Sequence, residues 1–168
     1  MGNVTFKISQ LGDAPEIKEL NELYKRELEQ RDMASNWPDS ELYSFAAIYF
    51  DGQPLTTVIF APIESQRKVY IVAAYTCRSW RRLGLYQALM RECINRWRSQ
   101  DLYDVLRSGY HHKNLISKHI QEKRGATVDE IKPRGVCTLL SLKPTGEEWQ
   151  MTSENLKDIC DKLVEVSG

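Results

Sequence analysis

Between Lys68 and Gln100 the chain runs through an apolar segment, a turn with three arginines and one glycine, and a long amphipathic segment. Val69 to Thr76 (VYIVAAYT) shows little alternation, which predicts a strand buried on both faces. Leu83 to Gln100 places Leu85, Ala88, Leu89, Ile94 and Trp97 at helical spacing, with arginines on the other side. Arg78, Arg81, Arg82 and Gly84 lie between. A strand that feeds a helix through such a turn aims the free N–H groups of the first helical turn, and the positive end of the helix dipole, at one place. Gly84 lets the backbone approach a ligand closely and the arginines add charge, so the stretch suits a phosphate group. A solvated, arginine-rich turn has the same composition, and spacing alone leaves both readings open.

The flanking segments supply the rest of a sheet. Val4 to Ser9 alternates as a half-buried strand does. Asp13, Pro15 and Glu16 resemble a capping box opening a helix that carries Ile17, Leu20, Tyr24 and Leu28 to about Asp32. Met33 to Ser40 (MASNWPDS) is turn-rich. Glu41 to Phe50 reads as a strand, and Asp51-Gly52 predicts a hairpin into Leu55 to Pro62. Asp104 to Tyr110 reads as a strand and His111 to Arg124 as a helix, with Asn114 near its start and Gly125 at its end. Thr127 to Lys132 and Val136 to Leu142 flank a Pro-Arg-Gly turn as two antiparallel strands. After the break at Pro144 to Thr152, a last helix from about Ser153 to Val166 carries Leu156, Ile159, Cys160 and Leu163 on one face. That stripe needs either its own core or a second subunit, so a homodimer is among the expectations. The order implies an α/β (α+β) fold: one domain over 1–168, with a mixed sheet of about seven strands, helices on both faces, a core over about 4–142 and a C-terminal helical extension over about 145–166.

Composition narrows the partners. Lys plus Arg and Asp plus Glu number 23 each, so no global charge draws the molecule to nucleic acid or anionic lipid. Cys77, Cys93, Cys137 and Cys160 are scattered, which favours free thiols in a reducing compartment over a metal or disulfide framework. No run approaches the roughly 20 apolar residues of a membrane span. A soluble, cytoplasmic protein without metal is expected.

Arg81-Arg82-Leu83-Gly84-Leu85-Tyr86, followed by Leu89-Met90, resembles the Q/R-x-x-G-x-G/A signature of the Gcn5-related N-acetyltransferases. Trp80 falls where that family often has an aromatic residue. Asn114-x-x-Ser117-x-x-Ile120-Gln121-x-x-x-Gly125-Ala126 resembles the family's N-x-x-A-x-x-L-Y-x-x-x-G-F segment, and the element order is similar too. The resemblance implies an acyl-CoA N-acyltransferase-like fold and an acetyl-CoA-dependent N-acetyltransferase. Its two central strands, here Val69–Thr76 and Asp104–Tyr110, would splay around the cofactor. Backbone groups near Tyr75 and Thr76 would bind the pantetheine arm, residues 81 to 86 the pyrophosphate, and Asn114 the cofactor from the next helix. An amine of a small molecule, a peptide N-terminus or a protein lysine would attack the thioester directly, with a strand N–H stabilising the oxyanion.

Two positions depart from the pattern: Tyr86 replaces a small residue, and Gln121 stands where many members carry a tyrosine that protonates the leaving thiolate. Glutamine has no titratable proton. For the base that deprotonates the amine, His111 and His112 follow a cleft strand, and Tyr110 could orient substrate or shuttle a proton. Adjacent histidines point different ways, so at most one should face the site, and both read equally well as exposed loop residues. Glu41 could act through water, while Cys77 and His119 read as bystanders. The alternative function is a binding or structural module of the same fold.

Overall fold

The computed structural model describes residues 4–33, 42–143 and 161. Seven strands form one sheet: β1 (Val4–Gln10), β2 (Ser44–Phe50), β3 (Gln53–Ile63), β4 (Lys68–Thr76), β5 (Val105–His111), β6 (Thr127–Ile131) and β7 (Gly135–Ser141), in the order β1-β2-β3-β4-β5-β7-β6. Three helices connect them: α1 (Pro15–Gln30), α2 (Leu85–Gln100) and α3 (Leu115–Lys123). The sheet is mixed, as the sequence implies. Among the described residues no helix is long and apolar enough to cross a membrane.

Every neighbouring pair is antiparallel except β4 and β5, which the α2 crossover makes parallel. Their ladder is short, joining only Lys68–Tyr70 to Val105–Arg107. Beyond it the strands part. A β-bulge helps to part them: Phe60 pairs with Ile71 and Ile59 with Ala73, leaving Val72 as the extra residue on β4. Bulges bend a strand and shift its side chains by one position. Val69 and Ile71 accordingly pack with Leu85, Leu89 and Trp97 of α2, whereas Ala73 joins Ile17, Phe45 and Ile59 in the cluster under α1. The two helices therefore cover opposite faces.

The Asp51-Gly52 hairpin forms with both residues at positive φ, 50° and 80°, the conformation a two-residue turn demands. Several boundaries differ from expectation. β4 is not buried on both faces: Val69, Ile71 and Ala73 are buried, but the residues between them are half-exposed because a cleft opens along the strand. Asp13 does not cap α1, since it lies in a short 3-10 turn and Ala14 takes the cap position. Helix α2 starts two residues later than predicted because Arg82 and Gly84 are left-handed (φ 69° and 78°). The helix predicted from His111 starts at Leu115, because His111 still pairs with Gly135 in the sheet. Glu41, most of Met33–Ser40, the break after Pro144 and all but Asp161 of the expected last helix lie outside the described residues.

Candidate functional site

Where β4 and β5 part, a cleft of about 700 Å³ opens. Its walls are Ile71 to Thr76 of β4, Ser108 and Gly109 of β5, Tyr24 and Glu27 of α1 with Arg31 just past its end, and Ile120 and Gln121 of α3 with Asn114 at its cap. The turn before α2 closes one end with Arg81, Arg82, Gly84, Leu85 and Tyr86.

That end presents backbone donors that the helix leaves unused. Gly84 caps α2 from a left-handed conformation, with no side chain to cover the helix start. The first bond into the helix runs from the Ala88 N–H to the Gly84 carbonyl at 3.0 Å, so the N–H groups of Leu85, Tyr86 and Gln87 precede the ladder. Arg82 is exposed and has no ion-pair partner among the described residues. Leu83, also expected here, packs instead against the α2 core cluster. Tyr86 is half-buried against the same cluster, with the Arg124 guanidinium 5.8 Å from its ring centre.

Arg81 is held differently. Its terminal nitrogens donate to both Glu27 carboxylate oxygens at 2.9 and 3.0 Å, its Nε donates to the Thr76 carbonyl at 2.9 Å, and its guanidinium lies 5.3 Å from the Tyr75 ring centre. A phosphate contact from this side chain would have to displace that bracket, whereas Arg82 needs no displacement. Arg31 and Arg78 approach the same carboxylate at 3.6 and 4.0 Å, and the Glu27 side chain is only 12% exposed. Hydrogen bonding from Arg81 holds the Glu27 carboxyl below the usual carboxylate range. Tyr24 meets Tyr75 edge to face at 5.4 Å, and burial pushes its hydroxyl up to about 12. The spacing of Tyr24, Glu27 and Arg31, three and four residues apart, sets them on one face of α1. That spacing was the sequence signal for them.

Backbone groups supply the next feature. On the β3 side, Thr56 Oγ1 donates to the Tyr75 carbonyl at 3.3 Å and lies 2.9 Å from Thr76 Oγ1. On the β5 side, β4 has no strand partner past Tyr70. An extended ligand could pair with that open edge as a strand would. Asn114 caps α3, its Oδ1 accepting from the Ser117 N–H at 3.1 Å, and still lines the cleft.

Gln121 is buried. Its Nε2 donates to Ser108 Oγ at 2.6 Å and its Oε1 accepts from Thr138 Oγ1 at 3.2 Å. Tyr110, His111 and His112 do not line the cleft. Tyr110 pairs with Val136 in the sheet. His111 Nδ1 accepts the Lys113 N–H at 3.1 Å, and a ring nitrogen of His112 lies 2.9 Å from the Lys132 carbonyl. Their loop is tied to the end of α1 by Lys113 and Asp32, 2.7 Å apart. Burial pushes the Cys77 thiol up, and its Sγ points to the Pro54 carbonyl at 3.4 Å, which suits the bystander expected.

Comparisons with known proteins agree with this geometry. The family described as acetyltransferase (GNAT) matches residues 14–126. The ribosomal-protein-S18-alanine N-acetyltransferase of Escherichia coli has a similar structure, at 15% identity and a TM-score of 0.62 over 85% of this chain and 97% of that one. So does yncA of Salmonella typhimurium with its cofactor acetyl-CoA, at 15% identity and 0.61 over 86% and 97%. The PaiA N-acetyltransferase of Thermoplasma acidophilum in complex with coenzyme A matches at 11% identity and 0.62 over 83% and 99%. At these identities the likeness is one of fold. No curated protein sequence matches the chain.

Proposed function

This chain belongs to the acetyltransferase (GNAT) family, and on that premise we propose that it transfers an acetyl group from acetyl-CoA to an amine. The observation that carries the reading is the gap between β4 and β5 with the uncovered start of α2 at its end. These features fit the donor's chemistry. The N–H groups of Leu85, Tyr86 and Gln87 and the Arg82 guanidinium would hold the pyrophosphate. The open edge of β4 would take the amides of the pantetheine arm, and Asn114 would contact it from α3. Acetyl-CoA brings an activated thioester; the chain's residues bind it, keep water from it and order the groups around it.

A backbone N–H of β4 facing the gap would stabilise charge on the thioester carbonyl oxygen, a donor fixed before reaction. The acceptor must reach the site as a free amine. None of the residues expected to handle its proton, Tyr110, His111 and His112, lines the cleft, so any of them would act through an intervening water; their ring hydrogen bonds separate the two histidines. His111 spends its Nδ1 lone pair on the Lys113 N–H. His112 donates from its ring to the Lys132 carbonyl, which leaves the other ring nitrogen's lone pair for a proton. The acceptor would be an amine, on a small molecule, a peptide N-terminus or a protein lysine. The full 168 residues would act as one such domain.

Calorimetry with acetyl-CoA tests the reading. The wild type is expected to bind, and Arg82→Glu to bind at least roughly tenfold more weakly, a loss of about 1.4 kcal/mol. Absence of binding by the wild type overturns the proposal, and an unchanged affinity in the variant removes the assigned phosphate seat.

A further inference from the structure

We infer that Ser108 is the hydrogen-bond donor to the departing sulfur, held in that role by Gln121 and Thr138. The inference rests on the acetyl-transfer reading above and adds a residue that no motif marks. Ser108 is the first β5 residue past the last β4–β5 pair, at the vertex where the strands part. It is only 5% exposed, yet it lines the cleft.

Its surroundings leave one direction for its proton. A serine hydroxyl has one O–H and two lone pairs. The Gln121 Nε2–H, at 2.6 Å, is directed at a lone pair. Thr138, which pairs directly with Ser108 across the β5–β7 ladder, donates to Gln121 Oε1 at 3.2 Å and so sets which end of the amide faces the serine. Gln121 and Thr138 are 6% and 3% exposed, so water competes little for these bonds. Among the described residues the Ser108 O–H meets no acceptor. Buried donors are rarely left without one. With β7 and α3 on two sides, the remaining side is the cleft.

The position suits a thioester. A ligand anchored at the α2 start and extended along the open edge of β4 passes from Thr76 to Ile71, about 16 Å at the usual strand rise. It arrives where Ser108 stands. In the transfer, the amine lone pair forms the N–C bond and the C–S bond breaks with its electron pair moving to sulfur. The proton lost by the amine goes to the base and then to solvent. Ser108 donates a hydrogen bond to the charge on sulfur and keeps its proton, because a hydroxyl is a far weaker acid than a thiol. Sulfur leaves as the thiolate or takes its proton from solvent. A glutamine at position 121 thereby serves as a positioning residue: it cannot act as an acid, but it aims a donor.

The test pairs kinetics with binding. Coenzyme A and desulfo-coenzyme A are titrated calorimetrically from pH 7 to 9.5 into the wild type, Ser108→Ala and Gln121→Glu. In the wild type, affinity for coenzyme A is expected to rise through the thiol's ordinary range near pH 8.5 as the thiolate forms, while desulfo-coenzyme A shows no rise. Ser108→Ala should lose the rise and lower kcat roughly 10- to 100-fold, with the acetyl-CoA KM within about twofold of wild type. Gln121→Glu, nearly isosteric, should copy both effects, because its carboxylate accepts the serine proton and turns it from the cleft. Wild-type kcat and pH dependence in either folded variant overturn the inference and leave acetyl transfer standing. Failure of acetyl-CoA to bind the wild type overturns both.

Discussion

Replacing Glu27 should cost this protein more than replacing its partner Arg81, and the asymmetry follows from what each residue would leave behind. Removing Arg81 leaves the Glu27 carboxylate with Arg31 at 3.6 Å and Arg78 at 4.0 Å, both able to close in. Removing Glu27 leaves three guanidiniums around one point with no anion. At a separation of about 4 Å and an effective dielectric near 20, each charge pair carries about 4 kcal/mol before desolvation and screening. Arg81 is 32% exposed against 12% for Glu27, so the net pair falls between the surface value of about 0.5 kcal/mol and the buried value of about 3. We expect Glu27→Ala to lose about 2 to 3 kcal/mol and Arg81→Ala about 1. For a chain of this size that corresponds to roughly 4 to 12 °C and 2 to 4 °C in Tm. The pH dependence carries a sign. Since the Glu27 pKa is depressed in the folded state, its stabilisation is complete above the unfolded carboxyl pKa of about 4.3 and is lost as pH falls through the lower folded value. Urea denaturation of the wild type and Glu27→Gln at pH 7 and at pH 3 should show the difference at pH 7 shrinking at pH 3. A larger loss from Arg81→Ala than from Glu27→Ala, or a gap that does not change with pH, would refute the reasoning.

Two further outcomes follow from single residues. Asn114→Ala removes the α3 cap and should lower stability by about 1 kcal/mol in urea denaturation, with Asn114→Ser close to wild type; equal losses in both would show that the cap bond is not what matters. Cys77, with its thiol pushed up by burial, should react with iodoacetamide at pH 7.5 much more slowly than free cysteine, and a rate equal to that of free cysteine would contradict the assignment.

Local chemistry was legible where a residue acts on its own neighbours. Asp51-Gly52 announced its hairpin and Gly125 the end of α3, whereas Gly84 and Asn114 marked the neighbourhood of two helix starts that lie two and four residues later than read. What the sequence concealed depends on distant partners. The bulge at Val72 is a mismatch between β3 and β4 and leaves no mark in a run as uniform as VYIVAAYT. The Arg81–Glu27 bracket joins residues 54 apart, so Arg81 read as a phosphate ligand although its donors face Glu27 and Thr76. Ser108, Gln121 and Thr138 come from a strand, a helix and a second strand, and only the β5–β7 register brings them together. His111 and His112 follow the cleft strand as expected, yet the strand ends beside the sheet turn and carries them past the cleft.

The central claim is that acetyl-CoA lies in the gap between β4 and β5 with its phosphates at the start of α2. Amide hydrogen exchange with and without acetyl-CoA tests it residue by residue. Binding should slow exchange at the gap-facing N–H groups of 71–76 and at 85–87, which acquire acceptors, and leave β1 and β6 unchanged. Protection confined to β1 or β6, or none in the gap at saturating acetyl-CoA, would contradict it.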